Sequence, residues 1–207
     1  MEFFKLSVAT LFHPIESFRL IKLNRNRYSK STIMLLLFLI IAVRALCIYV
    51  IHYPVAVLEA KDANIGAEIV KMICPIFSWV VACYAVTSIM DGEALFRETM
   101  MASVISMMPY ILLALPITLL SHLMCSYEIG LFYILQSLMW VWVVILIFMN
   151  VKIINDYSFG RALGVCLISI FTVFLMWGIL LLLYSMTDQL WKFVEGIIRE
   201  ISFQIGT

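Results

Sequence analysis

Apolar residues in this chain gather in runs long enough to cross a bilayer, and short polar segments separate the runs. A spanning helix needs about 20 mostly apolar residues. Five stretches meet that requirement: 31–51, 69–90, 102–123, 129–151 and 162–185. The polar punctuations at 59–68, 91–98, 121–128 and 152–161 are too short to fold as domains of their own. The pattern predicts an all-α, polytopic membrane protein with five transmembrane helices. A five-helix domain over 31–186 would be preceded by a basic segment, 1–30, and followed by a tail, 187–207. No internal repeat or low-complexity linker divides the chain.

Both flanking segments have amphipathic spacing. Pro14 can open a helix, since the first helical position has no use for its missing N–H. Ile15, Phe18 and Leu20 or Ile21 then form an apolar stripe, with Glu16, Arg19 and Lys22 opposite. In the tail, Asp188 can cap a helix. Leu190, Val194, Ile197 and Ile201 follow at spacings of four, three and four, widened by Trp191 and Ile198, while Lys192, Glu195, Arg199 and Glu200 fall elsewhere. Helices of this kind rest in the membrane interface or fill a partner's groove.

Composition narrows the function classes. Hydrophobic residues make up 64% of the 207 positions and charged residues 13%, against about 25% charged in soluble domains. Mean hydropathy is +1.07. A soluble enzyme and a disordered chain are both excluded. The net charge of +1 supplies no basic surplus for nucleic acid. The opening residues lack the pattern of a cleavable signal, so the first span is expected to be retained. Under an odd number of spans, Lys5, Arg19, Lys22, Arg25, Arg27, Lys30, Arg97, Lys152 and Arg161 share one side. Lys61, Lys71, Lys192 and Arg199 take the other. The positive-inside rule therefore predicts a cytoplasmic N-terminus and an external C-terminus.

Candidate chemistry is sparse. His13, His52 and His122 lie in separate segments, and no metalloprotease, nucleophile-elbow or phosphate-loop motif is present. His122 and Cys125 are close, but a metal site needs further ligands. The five cysteines show no CxxC spacing and read as packing residues of spans. No catalytic residue, cofactor or metal site is assigned. Arg44 is the exception, a charge about two thirds of the way through the first run. It must snorkel to the outer interface, pair with Glu59, Asp62, Glu68 or Glu128, or meet a carboxylate of a partner protein. Pro109 and Pro116, two turns apart, predict a kinked third span. Gly160 and Gly164 form a GxxxG that permits close helix approach or serves a turn. Ser103, Ser106, Thr118, Gln136 and Ser169 are the polar candidates near the midplane, where a solute path would run.

Three segments carry a family likeness. His13-Pro14-Ile15-Glu16-Ser17-Phe18 resembles the Pro-and-Phe segment before the first span of the Yip1-domain family, in its bacterial branch. The stretch Asp91-Gly92-Glu93-Ala94-Leu95-Phe96-Arg97-Glu98-Thr99, leading to Met108-Pro109 and Leu115-Pro116, resembles the family's Gly-x-x-x-Phe-(Lys/Arg)-Glu-Thr loop and proline-bearing helix. Ser158-Phe159-Gly160-Arg161-Ala162-Leu163 resembles its entry to the last span. The chain departs from the family in reading Ile105-Ser106 where Gly-Tyr is common. The resemblance implies five spans, an internal N-terminus and no catalytic site. Eukaryotic relatives act in vesicle traffic by binding membrane proteins and small GTPases. Some bacterial relatives resemble accessory proteins encoded beside ABC-type carbohydrate importers. The expected function is a non-enzymatic accessory or scaffold protein of the bacterial plasma membrane, in contact with lipid and with a membrane-protein partner such as importer permeases. Arg44, Leu190, Val194, Ile197 and Ile201 are its candidate partner-binding residues. A stand-alone small-solute transporter or channel is the alternative.

The topology is open to direct measurement. A cysteine introduced at Gly206 should react with a membrane-impermeant thiol reagent applied from outside, and one at Ser29 should not. Reaction of both from the same side would mean an even number of spans.

Overall fold

A computed structural model describes residues 10–11, 13–23, 30–50, 65–124 and 126–205. The helices are α1 (Pro14–Leu23), α2 (Lys30–Val50), α3 (Ile65–Ile89), α4 (Phe96–Ile105), α5 (Met108–Leu120), α6 (Ile129–Ile154) and α7 (Phe159–Ile205). Short 3-10 turns at Ser121–Leu123 and Ser126–Glu128 lead into α6. Five stretches are long and apolar enough to cross a membrane: Ser31–Val50, Gly66–Ile89, Phe96–Leu123, Ile129–Ile154 and Phe159–Ile197. The all-helical, five-span expectation holds.

The third span is the core of the bundle. It is 67% buried, while none of the others exceeds 33%. It starts earlier than its apolar run because Glu98 is absorbed into the first turn, where its carboxylate accepts a hydrogen bond from the Leu95 N–H at 3.0 Å. The span is also broken, as Pro109 predicts, whereas Pro116 lies inside the unbroken α5. Pro109 has no N–H to offer Ile105, and its ring would clash with that carbonyl in a continuous helix. The chain tightens instead. The Ser106 N–H reaches Ala102 O at 2.9 Å, and the Met107 N–H reaches Val104 O at 3.1 Å. Pro109 then sits in the first turn of α5, where its missing donor costs little.

Buried faces follow helical spacing on both sides of this broken helix. Leu36, Ile40, Val43 and Cys47 of α2 pack there, as do Met139, Val143 and Leu146 of α6. In α6 the same stripe continues to Asn150, whose side chain lies 3.4 Å from Ser103 Oγ. A second cluster joins Cys83 and Val86 of α3 to Val151, Tyr157, Ala162 and Val165. It seats the first turns of α7 against α3. The GxxxG glycines take no part in that seat. A side-chain carbon at Gly160 or Gly164 would meet nothing within 4 Å, whereas Ala162 and Val165 are fully buried.

The α1 stripe binds the chain's own bundle. Phe18 and Ile21 are buried against α4 and α6, while Ile15 and Leu20 remain exposed. Lys22 closes the contact through ion pairs with Glu93, at 2.8 Å, and with Asp156. Burial opposes its charge. Hydrogen bonds to Asp156 and Glu93, with their attraction, outweigh that and hold the ammonium above the ordinary lysine value of 10.5. With both carboxylates ionised, the lysine's share of this contact is thus present at neutral pH and is lost as pH rises through the raised value.

The polypeptide stops two helices by one device at this end. Asp91 after α3 and Asp156 after α6 both adopt left-handed backbone, φ 52° and 51°. The Gly92 N–H returns to Thr87 O at 2.8 Å, and the Tyr157 N–H to Lys152 O at 2.9 Å. The two turns interlock. Tyr157 Oη donates to Met90 O at 3.0 Å, Arg161 donates to the same carbonyl, and the Ala94 N–H donates to Asn155 Oδ1 at 3.3 Å. Gly92 sits where they meet. A methyl group there would lie 2.5 Å from Asn155 Oδ1 and 2.7 Å from Tyr157 Oη. Gly92→Ala should therefore cost about 1–3 kcal/mol of stability. Gly178→Ala, in open space within α7, should gain about 0.5–1 kcal/mol. Unfolding in a mild detergent checks both signs.

Candidate functional site

At the end of the bundle opposite α1, a cavity of about 540 Å³ opens between α2, α3, the broken span and α6. Its mouth is charged. Arg44, on the last third of α2, faces the first turns of α3. Glu68 Oε2 accepts from Arg44 Nη2 at 2.6 Å and from Nε at 3.2 Å. The other carboxylate oxygen accepts from Lys71 Nζ at 2.8 Å, one turn along α3. The Glu68 side chain is largely buried, the Arg44 side chain is more open, and that of Lys71 is well exposed.

This arrangement answers the question Arg44 posed. Of the acidic residues within reach of its end of the bundle, Glu68 pairs with it, and Glu59 and Asp62 lie outside the described residues. The guanidinium needs a carboxylate at this depth because an unpaired charge among apolar helices is expensive. One acid shared by two bases leaves the cluster with a surplus positive charge.

Below the mouth the walls turn aromatic and apolar. Pro75, Ile76 and Trp79 of α3 face Trp140 and Ile147 of α6. Ser103, Met107 and Tyr110 come from the two sides of the break in the third span. The Tyr110 and Trp140 rings stand 5.6 Å apart, tilted by 37°. Tyr110 is 4% exposed and close enough to Arg44 to feel its charge. Its Oη is buried beside the Arg44 guanidinium, and the Trp79 Nε1 is buried without a hydrogen-bond partner among the described residues.

The polar residues singled out near the midplane divide by role. Ser103 and Gln136 line the cavity. Ser106 and Thr118 turn their hydroxyls back to Ala102 O and Ala114 O, and Thr118 also reaches Cys47 Sγ at 3.3 Å. Ser169 is buried where α7 meets the bundle. The four described cysteines are free thiols, with Cys47 and Cys83 buried as packing residues. Cys125 lies outside the described residues, and the His122 ring is 2.7 Å from Val50 O. Lys71, Trp79, Tyr110 and Trp140 were missed as site residues. The Glu68–Lys71 spacing of three was the one available signal, since such a pair shares a helix face.

A second candidate surface lies on α7. No break falls at Asp188. The helix runs through it, and Asp188 pairs with Lys192 at 2.6 Å rather than capping a new helix. Every described residue from 177 to 197 except Asp188 is exposed, including Leu190 (63%), Val194 (46%) and Ile197 (41%). The Ile201 side chain lies outside the described residues.

Comparison with known proteins adds one match. The family model of the Yip1 domain covers residues 8–182. No curated protein and no solved structure matches the chain.

The Arg44–Glu68 pair yields a double-mutant test. Arg44→Leu alone should lower the unfolding temperature in detergent, because it strips Glu68 of its closer partner. Pairing it with Glu68→Leu should recover much of the loss, with a coupling of roughly 0.5–3 kcal/mol. Additive losses would mean that the two side chains do not act as a pair.

Proposed function

The chain belongs to the Yip1 domain family of integral membrane proteins, and from that premise we propose that it is a non-enzymatic accessory protein that binds another membrane protein through the distal part of α7. The observation that carries this reading is the bare helix. α7 has 47 residues, or about 70 Å at 1.5 Å per residue. The hydrocarbon core of a bilayer is only about 30 Å thick. The proximal turns of α7 pack on α3 and α6. Farther on, Leu183, Leu190, Val194 and Ile197 fall on one seam at alternating spacings of three and four once Thr187 is included, and the sequence continues it to Ile201. Such a seam fits a partner helix by knobs-into-holes packing.

In this reading the protein sits in the bacterial plasma membrane with α1 in the cytoplasm and the end of α7 outside. The permease pair of an ABC-type carbohydrate importer is the first partner to test, on the strength of the bacterial relatives it resembles. A second reading, a solute transporter acting alone, draws support from the cavity, with Ser103 and Gln136 in its wall.

Changing Val194 and Ile197 together to Asp separates the two. For an accessory protein, the change should abolish co-purification of the tagged permeases and leave the unfolding temperature of the isolated chain unchanged. For a lone transporter, purified protein in liposomes should move solute unaided, and the double variant should do so equally well.

A further inference from the structure

We propose that the cavity between α2, α3, the broken third span and α6 is a binding site for one anionic glycerolipid, its phosphate at Arg44 and Lys71 and its acyl portion between Trp79 and Ile147. The proposal is independent of any docking by α7.

The sign of the ligand's charge follows from the mouth. Both oxygens of Glu68 are engaged, one by Arg44 and one by Lys71. Two cations against one carboxylate leave a net positive charge, and neither basic side chain can accept a hydrogen bond. Their remaining N–H groups call for an acceptor-rich anion. Charge-assisted bonds from guanidinium and ammonium to phosphate are among the stronger polar contacts available. A cation would be repelled by the surplus charge.

The shape asks for an amphiphile. Glu68 to Trp79 is three turns of α3, a depth of ~16 Å. Over that depth the wall changes from ion pairs to Ile76, Met107 and Ile147. A volume of about 540 Å³ lies within the range of small-molecule sites, roughly 300–1,000 Å³. The mouth lies near the start of α3, where a span meets the headgroup layer, and Lys71 is exposed there. A lipid can therefore enter sideways from the leaflet.

The two buried donors identify the middle of the ligand. Tyr110 and Trp79 line this cavity; the Tyr110 hydroxyl lies beside Arg44, and the Trp79 Nε1 is buried without a partner among the described residues. Leaving a buried donor unsatisfied in an apolar setting is costly. The ester carbonyls of a glycerolipid lie between phosphate and acyl chain, at the level of these two side chains, and can accept from their O–H and N–H once the rings turn toward the ligand. A simple inorganic anion would engage the mouth and leave these donors unmet.

The test uses the full chain, delipidated in a neutral detergent, with native mass spectrometry as the readout. The probes are dioleoyl phosphatidylglycerol, dioleoyl phosphatidylcholine and glycerol phosphate. Phosphatidylglycerol should fill one saturable site about tenfold more tightly than phosphatidylcholine, a difference of ~1.4 kcal/mol. Glycerol phosphate should not displace it. Lys71→Gln should remove most of the preference for phosphatidylglycerol. Tyr110→Phe, which keeps the ring and deletes the hydroxyl, should weaken both lipids severalfold. Ile147→Trp should block the site by filling its floor. If that variant does not fold, the other two decide. Equal binding of the two lipids, a ladder of adducts with no saturable first site, or unchanged binding in Lys71→Gln and Tyr110→Phe would overturn the proposal. So would glycerol phosphate binding as tightly as the lipid, which would make the mouth a site for free anions.

Discussion

Pro109 imposes the constraint on which the rest of the bundle depends. In hydrocarbon no water is available to satisfy a backbone carbonyl, so a break in a helix at the midplane must be covered by protein. The third span meets that demand by being the most enclosed of the five spans, with α2 and α6 packed along it. The hydroxyl of Ser106 adds a bond to Ala102 O at 2.8 Å just where the ladder tightens. The cavity follows from the same break. Ser103 and Met107 precede the proline and Tyr110 follows it, and at spacings of four and three they share the face of the span that lines the space below Arg44.

The two ends of the bundle use charge differently. At the α1 end, Lys22, Asp91, Glu93, Asp156 and Arg161 sit in loops or at helix termini and tie α1 and two turns into one unit. The three segments that carried the family likeness meet in this knot or beside it. The likeness therefore falls on a structural clasp: it includes the left-handed stop at Asp91 and a glycine at position 92 with no room for a methyl group, and it borders the matching stop at Asp156. At the opposite end, Arg44, Glu68 and Lys71 lie inside spans. There the shared carboxylate makes the arginine tolerable and leaves a polar mouth on an apolar chamber.

The number and order of the spans could be read from the sequence because long apolar runs have few alternatives in water or lipid. Their limits were harder to place where charged residues lie inside a helix. Arg97 and Glu98 looked like loop, yet Glu98 caps the first turn with its own side chain. Asp188 looked like a start signal, yet its pair with Lys192 belongs to an unbroken helix. Arg44 was legible as a charge in need of a partner, with Glu68 among the candidates. The chamber beneath it was not, because Trp79, Tyr110 and Trp140 come from separate helices and only packing brings them together. The docking of α1 was hidden for a similar reason. An amphipathic stripe shows that one face will be covered, but not whether lipid, a partner or the chain's own bundle covers it.

The continuity of α7 has a mechanical meaning. Its root is held by Arg161, which grips the Met90 carbonyl, and by Ala162 and Val165 against α3, while Leu190, Val194 and Ile197 farther along are exposed. A helix clamped at one end behaves as a lever. A tilt of about 5° at the root carries the tip of a ~70 Å rod through roughly 6 Å. A small change of tilt where α7 leaves the turn at Asp91 and Gly92 would be magnified into a larger displacement at its tip, without any part of the helix having to bend.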